Sequence, residues 1–174
     1  IRKKYACPCC QAWVKLAPLP PQPIPKSNAS PALLAFIATA KFLDGLPLYR
    51  QTRQFDRIGV NLPRATLANW MIRCGELIQP LINLMREQLN GYPVQQIDET
   101  TMQVLKEAGK AASTKSYMWV QKGGPPEQQV ILFTYSPSRS QTVAEHLLDG
   151  YQGFVQTDGY AGYAGVCAKA GLRH

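Results

Sequence analysis

At 174 residues with 45% apolar side chains, the chain is long enough for one sizeable core, or for a helical module beside a small α/β domain, and wholesale disorder is excluded. Nineteen Lys and Arg against eleven Asp and Glu leave a net charge of +8, an excess that suits a polyanionic partner because neutralised phosphates release counterions. The five cysteines, three of them inside CPCC at 7–10, do not form a secreted disulfide framework and fit a reducing cytoplasm. The longest mostly apolar stretch, ALLAFIATAKF, falls short of the ~20 residues of a membrane span, so no membrane partner is expected.

Ile1 opens a basic run with no apolar stretch behind it, so no signal peptide is expected. The chain starts without Met on half of a motif and is expected to be part of a longer polypeptide. Positive residues concentrate early, from Arg2, Lys3 and Lys4 to Arg64 and Arg73. Residues 1–16 form a first segment, and 17–29, APLPPQPIPKSNA, an extended proline-rich linker. A helical, DNA-binding region is expected over 30–91. Ser30–Pro31 supplies a capping hydroxyl and a first-turn proline, and Leu33, Leu34, Ile37, Ala38 and Lys41 follow helical spacing. Gly45 and Pro47 interrupt it. A second helix carries Leu48, Thr52, Phe55 and Ile58 on one side and Arg50, Arg53 and Arg57 on another, with Gly59 as its stop. A third begins near Pro63, and Gly75 is read as the break before a fourth, ELIQPLINLMREQL. Short helices with a tight glycine-containing join are compatible with a helix-turn-helix; a plain helical bundle is the alternative.

From 92 to 174 the period changes to that of an α/β domain. Strands are expected near 94–98, 100–105, 117–121 and 130–135, then a helix from Ser140 to Leu148 closed by Gly150, and a strand over 154–158. Strand, strand, strand, helix, strand is the order in which a ribonuclease H-like domain begins.

Asp98 in QQIDET and Asp158 in FVQTDGYAGY each look like a strand end. Such ends can lie side by side in a mixed sheet, where carboxylate oxygens suit Mg2+ or Mn2+. Two ions roughly 3.5–4 Å apart would serve both the attacking and the leaving oxygen of a phosphodiester. Each acid taken alone also fits a turn or strand-end role, and Asp–Gly is a common turn pair. Glu99 would face away from Asp98 and serve as an ion-pair partner or as a support behind the ligands rather than as a metal ligand, while Thr100 shares the Asp98 face and could orient it. Tyr160 and Tyr163 are candidates for packing near the site or touching DNA, with packing the default. Arg50, Arg53, Arg57, Arg64 and Arg139 are candidate phosphate contacts. His146 receives no catalytic role. Cys7 and Cys10 have the spacing of half a tetrahedral zinc site, with Cys9 between them, and neither Cys74 nor His174 completes it.

Taken together, these segments resemble the transposases of the insertion sequence sixty-six family. KYACPCC looks like the second half of that family's zinc-binding segment, and SPALLAFIATAKFLDGLPLYRQTRQFDRIGVNLPRATLANW resembles the adjoining helical region. IDET, YMWV, SRS and QTDGYAGY match the catalytic region in order. The resemblance implies a bacterial, cytoplasmic Asp-Asp-Glu transposase with a ribonuclease H-like core. Asp98 would be the first acid and Asp158 the second, with a glutamate beyond His174 as the third; Glu145 does not match it. It also implies metal-activated water cutting the element's ends, and attack of the freed 3′ hydroxyl on target DNA. Double-stranded DNA, Mg2+ or Mn2+, a further copy of the chain and, in the full-length protein, Zn2+ are the implied partners. A chain lacking the third acid is expected to be inactive alone. A catalytically inert DNA-binding remnant and a ribonuclease H-like nuclease without strand transfer stay open as alternatives.

Overall fold

The computed structural model describes residues 3–10, 13–16, 18, 20–158, 161–170, 172 and 173. Arg2, Tyr160 and His174 lie outside the described residues. The chain divides into two compact units, Ile1–Gln79 and Pro80–His174.

In the first unit, β1 (Lys4–Ala6) and β2 (Val14–Leu16) pair antiparallel, with Lys4 opposite Leu16, and the cysteine cluster sits in the connection between them. Helix α1 (Pro31–Phe42) starts as its residues dictate. The Ser30 hydroxyl accepts the Leu33 N–H at 3.2 Å, and Pro31 fills a position whose N–H has no intrahelical use. Leu34, Ile37 and Ala40 turn inward, and Leu34 and Ile37 join Ala29, Leu67 and Trp70 in one buried cluster. Each large aliphatic side chain so buried contributes about 1.5–3 kcal/mol. Helix α2 (Leu48–Arg57) is fastened by Gln51, fully buried, whose amide donates to the carbonyls of Leu46 (3.0 Å) and Ile37 (3.4 Å). Gly59 ends it at φ +77°, the left-handed conformation that glycine adopts without steric cost.

Two expected helices prove to be one. α3 runs unbroken from Arg64 to Asn90, through Gly75 and Pro80. Gly75 costs about 1 kcal/mol relative to alanine, too little to end a helix whose neighbours are good helix formers. Pro80 lacks the N–H that would close one intrahelical bond, and the helix continues past it. The last turns of α3 belong to the second unit, where Ile82, Met85 and Leu89 pack against Val130 and Leu132.

The second unit is built on a four-stranded sheet of order β5 (Val130–Ser136), β4 (Lys115–Gly123), β3 (Val94–Gln103), β6 (Phe154–Gln156). The strands expected at 94–98 and 100–105 are a single strand, β3 (Val94–Gln103), because Glu99 to Thr101 continue the ladder with β4 (Lys115–Gly123) without a bulge. Asp98 therefore sits within a strand rather than at its end. β4 pairs antiparallel with β5 (Val130–Ser136), and β6 (Phe154–Gln156) lies parallel to β3. Between β5 and β6 runs α4 (Gln141–Leu147), and α5 (Ala161–Ala170) comes after β6. The second unit is thus a mixed α/β fold with helical sequence preceding its central sheet.

Strand alternation sorts the sheet into two faces. Ile97 and Trp119 point to the face covered by Ala144, Leu147, Tyr163, Val166 and Cys167. Gln95 and Gln121 are buried on that face and hydrogen-bonded: the Gln121 amide donates to the Leu147 carbonyl (2.8 Å) and to Gln95 (3.3 Å), and Arg86 donates to Gln121 (3.2 Å). The opposite face carries Gln96, Asp98 and Thr100 on β3, register-matched to Lys122, Val120 and Met118 on β4. Ile131, Phe133 and Tyr135 of β5 extend it and are exposed.

Candidate active site

The parallel register of β3 and β6 matches Gln96 with Gln156. Two residues further along come Asp98, still within β3, and Asp158, which lies past the end of β6 rather than ending a strand over 154–158, because the strand stops at Gln156. The Gln96 amide donates to the Gln156 side-chain oxygen at 2.9 Å, a clasp one pleat below the carboxylates. Asp98 and Asp158 line one cavity of about 430 Å³, with Gln96, Thr100, Lys122 and Thr157 among the other walls. The Asp98 carboxylate also accepts the Glu99 N–H at 2.8 Å, which fixes one of its oxygens.

Behind this cavity, on the covered face, Glu99 has a side chain only 1% exposed. It accepts from the Nε of Arg139 and from the hydroxyl of Tyr163. Tyr163 is buried and meets Trp119 edge-on, with ring centroids 6.2 Å apart. Burial pushes the Tyr163 phenol far above the ordinary tyrosine range, its hydrogen bond to Glu99 adds to this, and the charges of Glu99, Asp98 and Asp158 add further. Glu99 is thus an ion-pair partner on the far side of the strand from Asp98, as strand alternation implies. Tyr163 belongs to the core behind the carboxylates.

The remaining candidates are scattered. Arg50, Arg53, Arg57 and Arg64 are exposed on α2 and at the start of α3, with the Arg50 guanidinium 5.8 Å from the centre of the Tyr49 ring. Arg139 is committed through Nε to Glu99, and its side chain remains 37% exposed. Thr100 lines the cavity; His146 is on α4, away from the cavity walls; Glu145 accepts the Gln141 amide at 3.0 Å. Cys7 is half-buried, while Cys9 and Cys10 are exposed in the β1–β2 connection. Among the described residues no group of three or more His, Cys, Asp and Glu is arranged to hold a metal ion. The cavity does combine two carboxylates with threonine hydroxyls and glutamine amides. Such an oxygen-rich donor set fits a hard divalent cation at two carboxylate positions.

Lys122 carries no signal in the local sequence. It stands across from Gln96 in the ladder and brings an ammonium to the same cavity. Only the alternation of β4 points to it, and that becomes legible once the register with β3 is known.

The profile of the Transposase IS66 family matches residues 26–174. Three proteins of Sinorhizobium fredii (strain NBRC 101917 / NGR234) are similar to the chain. Uncharacterized protein y4jD is 33% identical over 98% of this chain and 34% of its own length. Uncharacterized protein y4qI is 35% identical over 79% of this chain and 26% of its own. Uncharacterized protein y4hP is 27% identical over 98% of this chain and 31% of its own. The chain thus spans between 26% and 34% of the length of these curated relatives. No solved structure matches. No helix among the described residues is long and apolar enough to cross a membrane. With the family profile covering everything from residue 26 onward, the chain belongs to the IS66 family of transposases.

Proposed function

We propose that this chain supplies the first two carboxylates of a metal-dependent transposase that cuts and rejoins DNA strands, on a ribonuclease H-like sheet. The observation that carries the reading is that Asp98 on β3 and Asp158, two residues past β6, line one cavity. An antiparallel β5-β4-β3 meander with β6 added parallel to β3 supports the fold assignment.

Asp98 and Asp158 would hold Mg2+ or Mn2+, which when bound supplies positive charge to phosphate oxygens and lowers the pKa of bound water. The protein's own contribution is positioning. The Glu99 N–H holds one Asp98 oxygen in place, and the Gln96–Gln156 clasp keeps the two strands level. Lys122 presents an ammonium to a phosphate entering the cavity. Exposed Arg50, Arg53, Arg57 and Arg64 supply phosphate contacts that hold duplex DNA, while Arg139 is partly engaged with Glu99. A third acid from outside this chain would complete the site, and Cys7 and Cys10 would give two of four zinc thiolates in a longer polypeptide.

In a longer family polypeptide carrying this sequence, Asp98→Asn and Asp158→Asn should each lower strand cleavage by about 10³-fold or more with DNA affinity within a factor of about two. Gel assays of end cleavage beside anisotropy binding check this; undiminished cleavage by either variant removes that residue from the site. A second reading, a DNA-binding chain without catalysis, draws on the finding that among the described residues no three His, Cys, Asp or Glu are grouped to hold a metal ion. It predicts binding lost with Arg50, Arg53 and Arg57 and indifferent to metal.

A further inference from the structure

We propose that Glu99 is a positioning residue whose buried carboxylate, gripped by Arg139 and Tyr163, keeps the segment bearing Asp158 level with the strand bearing Asp98. The proposal rests on the metal-site reading and deepens it. The β3–β6 ladder is short: its pairs run from Val94 with Phe154 to Gln96 with Gln156, and stop there. Asp158 lies two residues beyond the last pair, so the described ladder does not fix its height against Asp98. Helix α5 comes next in the chain after Asp158, and Tyr163 on α5 donates its hydroxyl to Glu99, the residue adjacent to Asp98. The second grip, Arg139, comes from the segment just before α4. One carboxylate therefore ties β3 to both helical segments that flank β6.

The chemistry of the two grips is complementary. A carboxylate this buried needs a cation beside it and hydrogen-bond donors to replace water. Arg139 offsets the Glu99 charge, so the negative charge facing the cavity comes from Asp98 and Asp158. Tyr163 donates without adding charge, and its ring meets Trp119 edge-on. Residues that orient metal ligands from behind commonly change metal affinity by about 10-fold or more without touching the ion.

The test uses this 174-residue chain with Mn2+ alone as the probe. Glu99→Gln and Tyr163→Phe are compared with Asp98→Asn and Asp158→Asn by amide hydrogen exchange and by Mn2+ titration followed by electron paramagnetic resonance. Tyr163→Phe and Glu99→Gln should raise exchange at 158 and 161–170 by roughly 10-fold while β3, β4 and β5 stay protected, and should weaken Mn2+ binding by a similar factor. Tyr163→Phe leaves every charge in place, so a weakened Mn2+ site there reports geometry rather than electrostatics. Unchanged exchange at 158 and 161–170 would overturn the proposal. So would a rise spread evenly through the sheet, which marks an ordinary core residue, or Mn2+ binding in Tyr163→Phe equal to the parent's. Mn2+ binding that is absent, or blind to Asp98→Asn and Asp158→Asn, overturns the metal reading, and with it Glu99's role toward metal, whatever the exchange shows.

Discussion

Tyr163 keeps its proton under conditions in which a free tyrosine would lose it, because burial penalises the phenolate and the Glu99 carboxylate accepts from the hydroxyl. The folded value lies above the unfolded one, near 10.0. The stabilisation is therefore fully present below that unfolded value and is lost as pH rises toward the folded one, since only the unfolded chain releases the proton easily. Denaturant midpoints at about pH 8 and about pH 10.5 should fall with alkali in the parent, and fall less in Tyr163→Phe. Lys122 makes a different kind of claim. If its ammonium meets one phosphate, Lys122→Ala should weaken DNA binding almost equally for all sequences. It should also reduce the slope of log affinity against log salt by about 1. An unchanged slope places Lys122 outside the nucleic-acid path.

At the scale of elements, Gly75 stands in mid-helix with nothing within 4 Å of where a Cβ would be. Gly75→Ala should therefore stabilise the chain by about 0.5–1 kcal/mol, measured by urea denaturation. Gly59→Ala should destabilise it, because φ +77° suits glycine and strains alanine. These two glycines also show how far local chemistry can be read. Gly59, Gly150 and the Ser30–Pro31 pair mark real element ends because backbone conformation or a capping bond decides there. Gly75 marks none, since a propensity of about 1 kcal/mol is too small to end a helix among helix formers such as Arg73, Glu76 and Leu77. In the same way, the break expected between two strands near residue 99 is absorbed into β3, because ladder bonds to β4 span it. Asp98 and Asp158 are legible as a pair from their flanking motifs. Their shared cavity, Lys122 on its wall and the double grip on Glu99 depend on pairing between distant segments, which no local pattern encodes.

For the molecule as a whole, the excess of +8 is unevenly distributed. Arg50, Arg53, Arg57 and Arg64 belong to the first unit, whereas the paired acids belong to the second. Holding DNA and cutting it should then be separable by mutation. Replacing Arg50, Arg53 and Arg57 with alanine should lower the salt slope of duplex binding by about 0.9 for each phosphate left unneutralised. The same triple variant should leave Mn2+ binding at Asp98 and Asp158 within a factor of about two, whereas a chelator should abolish the metal signal and leave arginine-driven binding in place. Coupled loss of both properties would contradict a division of labour between the units.

The β5 strand has a practical consequence for anyone handling this protein. It lies at the sheet border and displays Ile131, Phe133 and Tyr135, with Phe133 69% exposed. A border strand of this make-up is a template on which other chains can stack during expression or concentration. Phe133→Lys would place a charge in the middle of that surface, away from the buried core, and light scattering during concentration would show whether β5 is where precipitation starts.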